Sequence, residues 1–163
     1  MTEQYHIRLD KDDFVFSAGH FITYDGDTCE RLHGHNYRVT AEICGPLDDN
    51  QYVIDFIAVR VALKAIVNEL DHHMLLPTTH PLIHVQQRND EVEVTFQDRR
   101  WVFPRGDCIL LPVANTTTEL LARHIGLRLL DDLEAINGSR PERVRISVDE
   151  NYGQVAVVEL TGE

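Results

Sequence analysis

Apolar and polar residues alternate through residues 33–44, and this pattern predicts a β-strand with one buried face. A second apolar run, residues 14–19, leads directly to His20. We expect the two segments to pair as a β-hairpin, and residues 45–50 have the Gly, Pro, Asp and Asn content of a turn that ends the longer strand. The apolar face of that strand carries His33, His35, Tyr37, Val39, Ala41 and Ile43.

Two further segments have the features of helices. The first is predicted over residues 56–70, with Asp55 as its N-cap. The second is predicted from about Thr116, which has capping-box spacing to Glu119, as far as Gly138, which supplies the left-handed conformation that ends a helix. The residues of the first helix that we expect to be buried are Ile57, Val61, Ala65 and Leu70.

Strand patterns elsewhere complete the expected fold. Residues 91–96 and 100–103 predict a small hairpin, and residues 143–148 and 154–160 predict a closing strand pair. The order of elements is strand pair, helix, hairpin, helix and strand pair, which indicates an α+β fold with an antiparallel sheet covered on one face by two helices. We expect one domain over residues 1–163.

Composition narrows the classes of function. The 15 basic and 27 acidic residues give a net charge of −12, which argues against nucleic acid as a partner because phosphate backbones are held chiefly by Lys and Arg. The three cysteines, Cys29, Cys44 and Cys108, have no paired spacing, which argues against disulfides and favours a reducing cytoplasm. The N-terminal residues lack a signal-peptide pattern, and no run approaches the roughly 20 apolar residues of a membrane span. We therefore expect a cytoplasmic protein without nucleic acid or membrane partners.

Three histidines form the main chemical motif. His33 and His35 are separated by one residue on a strand, so they point to the same face, and His20 ends the neighbouring strand. Each alone is compatible with an ordinary half-buried histidine, but three imidazoles on one face would be unfavourable neighbours without a cation or water. Together they predict a catalytic Zn²⁺ site with an open fourth position.

Cys29 is the candidate base beside this site. It lies four residues before His33, on a polar turn next to Arg31. A lone cysteine is more often a small apolar filler, but a position near a divalent cation favours the thiolate. A thiolate there can remove a proton from carbon or hydroxyl at neutral pH.

Three more residues have two interpretations each from the sequence. Asp71 and His72 follow the first predicted helix, where an irregular backbone can let one side chain orient the other; the alternative is a histidine that complements the helix dipole. Glu150 follows a predicted strand, and its simplest interpretation is a solvated carboxylate.

These motifs resemble those of the 6-pyruvoyltetrahydropterin synthase and 6-carboxytetrahydropterin synthase (QueD) family. The resemblance covers nearly the whole chain, apart from a hairpin inserted at about residues 85–112. The matching motifs are the Phe-x-x-x-His that ends at His20, Cys29-x-x-x-His33-Gly34-His35-Asn36-Tyr37, Val53-Ile54-Asp55-Phe56, Leu70-Asp71-His72, Thr117-Thr118-Glu119 and Val148-Asp149-Glu150.

The resemblance implies a tunnelling fold (T-fold) with a four-stranded antiparallel sheet covered by two helices. It also implies a homohexamer, built as a dimer of trimers. The sequence is compatible with this, because a sheet with exposed edges gains by pairing with a partner's edge. His20, His33 and His35 would bind Zn²⁺, and Cys29 would abstract a proton from the substrate, which would be 7,8-dihydroneopterin triphosphate.

The remaining motif residues would complete an active site at a subunit interface. Asp71 and His72 would form a proton relay supplied by a neighbouring subunit, and Glu150 would anchor the pterin through its amino and ring N–H groups. For Glu119, capping of the helix is a complete alternative. The residues that would assist substrate binding are Thr117, Thr118 and Glu119.

Three functions follow as hypotheses. The first is a zinc-dependent 6-carboxy-5,6,7,8-tetrahydropterin synthase of queuosine or deazapurine precursor synthesis, which releases acetaldehyde and triphosphate. The second is the 6-pyruvoyltetrahydropterin synthase of biopterin synthesis or a side-chain-cleaving relative, and the third is a non-catalytic, metal-stabilised assembly module. Leu76 and Asn151 stand where the family often has Asn and Thr, so the motifs alone leave the product open.

Overall fold

The computed structural model describes residues 3–162. Its two helices are α1 (Phe56–Leu70) and α2 (Thr118–Asn137). Its strands are β1 (Tyr5–Leu9), β2 (Val15–His20), β3 (Thr23–Tyr24), β4 (Thr28–Cys29), β5 (His33–Gly45), β6 (His73–Pro77), β7 (His84–Arg88), β8 (Glu91–Phe96), β9 (Arg99–Pro104), β10 (Cys108–Leu111), β11 (Arg143–Asp149) and β12 (Val155–Thr161).

The main sheet is mixed and has seven strands, in the order β10-β6-β2-β5-β11-β12, with β1 paired to the C-terminal half of β5. The four strands expected from the sequence form its contiguous antiparallel part, β2-β5-β11-β12, in which β12 is an edge strand. The expected number of four is therefore wrong. The missed strands β6 and β10 pair in parallel and are short apolar runs, which lack the alternation that reveals a half-buried strand.

Helix α1 has the expected bounds, and the side chain of Asp55 accepts a hydrogen bond from the Ile57 amide as its N-cap. The expected buried face is wrong apart from Leu70, since Ile57 is 70% exposed and Val61 is 62% exposed. A second apolar stripe at helical spacing faces the sheet instead, because this helix has apolar residues on more than one side. The buried residues are Val59, Ala62, Leu63, Ile66, Val67 and Leu70.

Helix α2 begins two residues later than expected. The side chain of Thr117, not that of Thr116, accepts the capping hydrogen bond, from the Leu120 amide. Gly138 ends the helix at φ 74°, as its position predicts. Both helices pack on one face of the main sheet, and the apolar core lies between these two layers.

Residues 84–104 form a separate three-stranded sheet, β7-β8-β9, where the sequence predicts a two-stranded hairpin. The predicted pair is β8-β9, and β7 is the additional strand. The Trp101 ring stacks on Phe21 with centroids 4.6 Å apart. A second apolar cluster therefore joins this small sheet to the chain that leads into β4 and β5.

Neither of the helices within residues 3–162 is long and apolar enough to cross a membrane.

Candidate metal centre and active site

The register of β2 and β5 brings the three histidines together. His20 at the end of β2 lies opposite His33 at the start of β5, and His35 is on the same side of β5 two residues on. One ring nitrogen from each residue lies within 4.8 Å of the other two. The grouping of His20, His33 and His35 that the sequence predicts is present in the structure.

Gly34 separates the two histidines of β5 because the strands approach closely there. A Cβ atom at this position would lie 2.9 Å from the Ala18 carbonyl oxygen, closer than a side chain tolerates. Gly34 also pairs with Gly19 across the ladder. Two glycines in register therefore let β2 lie against β5 at the point where the histidines converge.

Backbone carbonyls orient two of the rings. His20 Nδ1 lies 2.9 Å from the Thr116 carbonyl oxygen, and His33 Nδ1 lies 2.8 Å from the Arg31 carbonyl oxygen. Because a neutral imidazole carries one ring proton, these bonds place the proton on Nδ1 and leave a lone pair on each Nε2. Burial lowers the pKa of His20, which favours the neutral form that binds metals.

The two free nitrogens face one another. His20 Nε2 and His33 Nε2 are 3.2 Å apart, so two lone pairs repel unless a cation lies between them. A tetrahedral zinc ion spaces its nitrogen ligands about 3.3 Å apart, given Zn–N bonds of about 2.0–2.1 Å. The spacing of His20 and His33 matches this value, and the donor set of three imidazoles that His35 completes is one that zinc accepts.

Glu150 faces the same centre. Its Oε1 lies 3.6 Å from His35 Nε2 and 3.7 Å from His20 Nε2. Its side chain is 24% exposed, so it is a partly buried carboxylate and not a fully solvated one. Tyr37 also lies here, with its hydroxyl 3.2 Å from His20 Nε2, and burial raises the pKa of that hydroxyl. The sequence reasoning assigned no role to Tyr37.

Cys29 lies in a different environment from the polar turn that the sequence predicts. It is 6% exposed, it belongs to the second apolar cluster, and its Sγ–H donates to the Glu30 carbonyl oxygen at 3.4 Å. Burial raises the pKa of the Cys29 thiol, and the nearby Arg99 guanidinium partly opposes that shift. The polar surroundings expected for Cys29 are therefore wrong, whereas the expected effect of a nearby divalent cation, which would lower this pKa and favour the thiolate, stays a prediction.

Glu30 is a candidate that the sequence reasoning missed. Its Oε2 lies 3.8 Å from His33 Nε2, at the edge of the histidine cluster. The Glu30-x-x-His33 spacing within the histidine motif was the available signal. The guanidinium of Arg99 on β9 donates from Nη1 to the carbonyl oxygens of both Cys29 and Glu30 at 2.9 Å, so one side chain holds this pair of residues.

Asp71 and His72 form the pair that the sequence suggests. Asp71 Oδ2 lies 2.8 Å from His72 Nδ1, and its Oδ1 accepts a hydrogen bond from the Ser17 amide at 2.7 Å. That amide bond lowers the pKa of Asp71 more than any other contact does. His72 adopts φ 60°, and this irregular backbone lets adjacent residues contact each other. The His72 side chain is 82% exposed, so its Nε2 is free for a proton donor or acceptor.

The three residues at the start of α2 that the sequence suggests for substrate binding differ in exposure and in hydrogen bonding. Thr117 caps α2, Thr118 is buried in its first turn, and Glu119 is exposed there. Thr116, which the sequence assigned to capping, instead accepts the hydrogen bond from His20 and donates from Oγ1 to the Phe21 carbonyl oxygen at 3.1 Å. The start of α2 therefore supports the metal site through Thr116.

A family model described as 6-pyruvoyl tetrahydropterin synthase matches residues 9–161. The chain belongs to this family. Among curated proteins, the Methanocaldococcus jannaschii protein provisionally named 6-carboxy-5,6,7,8-tetrahydropterin synthase is 32% identical over 142 residues, which are 86% of each chain.

Solved structures of pterin synthases have the same fold as this chain. The 6-pyruvoyl tetrahydropterin synthase of Plasmodium falciparum has a TM-score of 0.88 and 30% identity, covering 98% of this chain and 99% of that one. A Plasmodium vivax synthase, described as a variant with a catalytic glutamate replaced by alanine, has the same TM-score at 28% identity, with the same coverage. The α+β T-fold expected from the sequence is thus shared with pterin synthases.

Some of the candidate site residues line an open surface depression of about 580 Å³. Strands β2, β5 and β6 supply most of its wall, which includes Ser17, His33, His35 and His72. An imidazole on a paired carboxylate and a histidine-held cation can together move protons and polarise oxygen atoms of a bound molecule.

Proposed function

We propose that this protein is a zinc-dependent 6-carboxy-5,6,7,8-tetrahydropterin synthase. It would convert 7,8-dihydroneopterin triphosphate and water to 6-carboxytetrahydropterin, acetaldehyde and triphosphate. The observation that carries the proposal is the pair of Nε2 atoms of His20 and His33, 3.2 Å apart with both Nδ1 atoms bonded to carbonyls. The named activity of the 32% identical relative supports the choice of product.

His20, His33 and His35 would hold the zinc ion in this proposal. When bound, zinc supplies Lewis acidity that polarises the hydroxyl and carbonyl oxygens of the substrate side chain. Glu150 would anchor the pterin by accepting hydrogen bonds from the amino and ring N–H groups of the pterin, and its position 3.6 Å from His35 Nε2 would bring the ring beside the histidine cluster. Thr117, Thr118 and Glu119 are secondary candidates for substrate binding.

Proton transfer falls to residues around this centre. Cys29 removes a proton from the side chain of the substrate, and His72, held by Asp71, exchanges a proton with a side-chain hydroxyl. The reducing equivalents then pass from the side chain to the pterin ring, so no redox cofactor is required. Two bonds break to release products: the carbon–oxygen bond to triphosphate and the carbon–carbon bond to the two-carbon fragment.

Glu30 supports a second candidate function. Its carboxylate lies 3.8 Å from His33 Nε2, and a Plasmodium vivax 6-pyruvoyltetrahydropterin synthase has a glutamate described as catalytic. With Glu30 as the base, the same site would form 6-pyruvoyltetrahydropterin by elimination of triphosphate alone. Cys29 and Glu30 are adjacent in sequence, so this segment offers two candidate bases whose side chains differ in length.

We further propose a cytoplasmic homohexamer with active sites at subunit interfaces. The 82% exposure of the His72 side chain supports a contribution to a neighbouring subunit's site. Co-expression of Cys29→Ala and His72→Ala chains with different tags tests this, because random mixing leaves about a quarter of interfacial sites intact. Activity that stays absent in the mixed oligomer would show that both residues serve the same chain.

Product analysis tests the proposed function. The zinc-loaded protein is incubated with 7,8-dihydroneopterin triphosphate, and the products are identified by mass. Carboxytetrahydropterin together with acetaldehyde supports the first proposal, and pyruvoyltetrahydropterin supports the second. Failure to consume the substrate while zinc is bound stoichiometrically would contradict both and favour the non-catalytic, metal-stabilised assembly module.

A further inference from the structure

We infer that a second depression, lined by Arg31, Arg99 and Arg100, binds the triphosphate of the substrate. This inference rests on the proposed function, since it names the place of the group that the reaction releases. The depression has a volume of about 450 Å³, and Leu32 and Trp101 complete its lining.

The second depression adjoins the first. Leu32 lines both of them, and it is flanked by Arg31 on one side and by the candidate ligand His33 on the other. A substrate side chain whose oxygens reach the histidine cluster would extend past Leu32 with its phosphates toward the arginines. No other part of the substrate carries the charge that three guanidinium groups would match.

The local charge opposes that of the whole chain. The protein has a net charge of −12, yet three of its 15 basic residues line this one depression. Arg100 pairs with Glu93 at 2.6 Å, but Arg88 pairs with the same carboxylate at 3.1 Å, so two cations share one anion. Arg31 and Arg99 are exposed, and the hydrogen bonds of Arg99 go to neutral carbonyl groups.

The residue type also indicates a polyphosphate. Arginine presents a rigid fork of N–H donors that matches phosphate oxygens in a bidentate manner. Arg99 and Arg100 are neighbours on β9, whereas Arg31 comes from the loop before β5, so the groups converge from two segments. A positive depression in a negative protein would also favour the correctly oriented approach of a polyanion.

Calorimetric titration with inorganic triphosphate tests the assignment at fixed ionic strength. The zinc-loaded wild type, Arg31→Ala, Arg100→Ala and the control Arg123→Ala are compared; Arg123 is exposed on α2 and outside both depressions. We expect each depression variant to weaken triphosphate binding by about 10- to 100-fold, the effect of losing charge-assisted hydrogen bonds. The control should change it little, and dihydroneopterin without phosphates should bind all four proteins equally.

The outcomes separate this inference from the proposed function. If the wild type turns over dihydroneopterin triphosphate but Arg31→Ala and Arg100→Ala bind triphosphate as the wild type does, the assignment of the depression is wrong and the function stands. If triphosphate binding depends on the arginines but no product forms, the function is wrong and the anion site stands. If Arg123→Ala weakens triphosphate binding as much as the depression variants do, the effect comes from the net charge of the protein and the inference is wrong.

Discussion

The three histidines and the candidate proton-transfer groups of this site are held in different ways. His20, His33 and His35 lie on paired strands of the main sheet, where the ladder register fixes their positions. Cys29 and Glu30 precede β5 and are held by a guanidinium from another sheet, and Asp71 and His72 lie at an irregular helix end.

This difference assigns separate tasks to separate kinds of structure. A metal ion needs ligands at fixed distances, and regular strands provide them at no cost in backbone strain. The candidate proton-transfer groups lie instead where strands and helices end, and their exposure differs, since the His72 side chain is 82% exposed and Cys29 is 6% exposed. Substitutions of the histidines should abolish metal binding, and substitutions of the candidate proton-transfer groups should slow turnover.

The largest effect is expected from His33→Ala. Removing one of three imidazoles leaves too few ligands for a catalytic zinc site, so both bound zinc and turnover should fall to background. Metal analysis of the purified protein together with a product assay checks this. His84→Ala, at an exposed position on β7, is the matched control and should retain both. Stoichiometric zinc in His33→Ala would contradict the assignment of the ligands.

Cys29→Ala should have the next largest effect. Loss of a proton-transfer group typically slows turnover by about 10²- to 10⁴-fold, while the three zinc ligands are untouched. Cys108→Ala is the control, because Cys108 is a free cysteine buried in the same apolar cluster. Zinc content, oligomeric state and turnover are compared for the two variants, and equal turnover would show that the Cys29 thiol has no chemical role.

Glu30→Gln tests whether Glu30 and Cys29 lead to different products. If Cys29 leads to the carboxypterin and Glu30 to the pyruvoylpterin, the two variants should shift the ratio of these products in opposite directions. Mass analysis of both products from one substrate measures that ratio. An unchanged ratio in Glu30→Gln would remove Glu30 from the proposal.

The histidine cluster could be predicted because it follows from alternation alone. His33 and His35 share a strand face, and a hairpin places His20 beside them without long-range information. The same logic located the antiparallel strands β2, β5, β11 and β12. Glu150 was found through the resemblance, since the sequence by itself does not show that the end of β11 lies against the histidines.

The remaining features depend on contacts between distant segments. Arg99 is 70 residues from Cys29 in sequence, so no local pattern reveals that it holds the Cys29 carbonyl. The buried parallel strands β6 and β10 lack a polar face, and α1 has a second apolar stripe, so periodicity gave too few strands and the wrong helix face. The burial of Cys29 likewise follows from packing against β8 and β9.

An intermediate effect is expected from Asp71→Asn. An asparagine can still accept the hydrogen bond from the Ser17 amide, but its NH₂ group would face His72 Nδ1 and favour the wrong tautomer. Turnover should fall by about 10²-fold with zinc retained. Asp55→Asn at the other end of α1 is the control, because asparagine caps a helix as well as aspartate does. Equal activity of both variants would argue against a relay.

Arg99→Lys should have the smallest effect and separates positioning from anion binding. Lysine keeps the charge in the arginine-lined depression, but its side chain is shorter, so Nζ falls short of the position from which Arg99 Nη1 donates to the Cys29 and Glu30 carbonyls at 2.9 Å. We expect kcat to fall by about 10-fold with KM nearly unchanged, since displacement of a base by a fraction of an ångström affects chemistry more than binding. Arg100→Ala should show the opposite split, with KM raised and kcat kept. Steady-state kinetics of the two variants side by side measures both constants, and a matching change in both variants would mean that these neighbours on β9 share a single role.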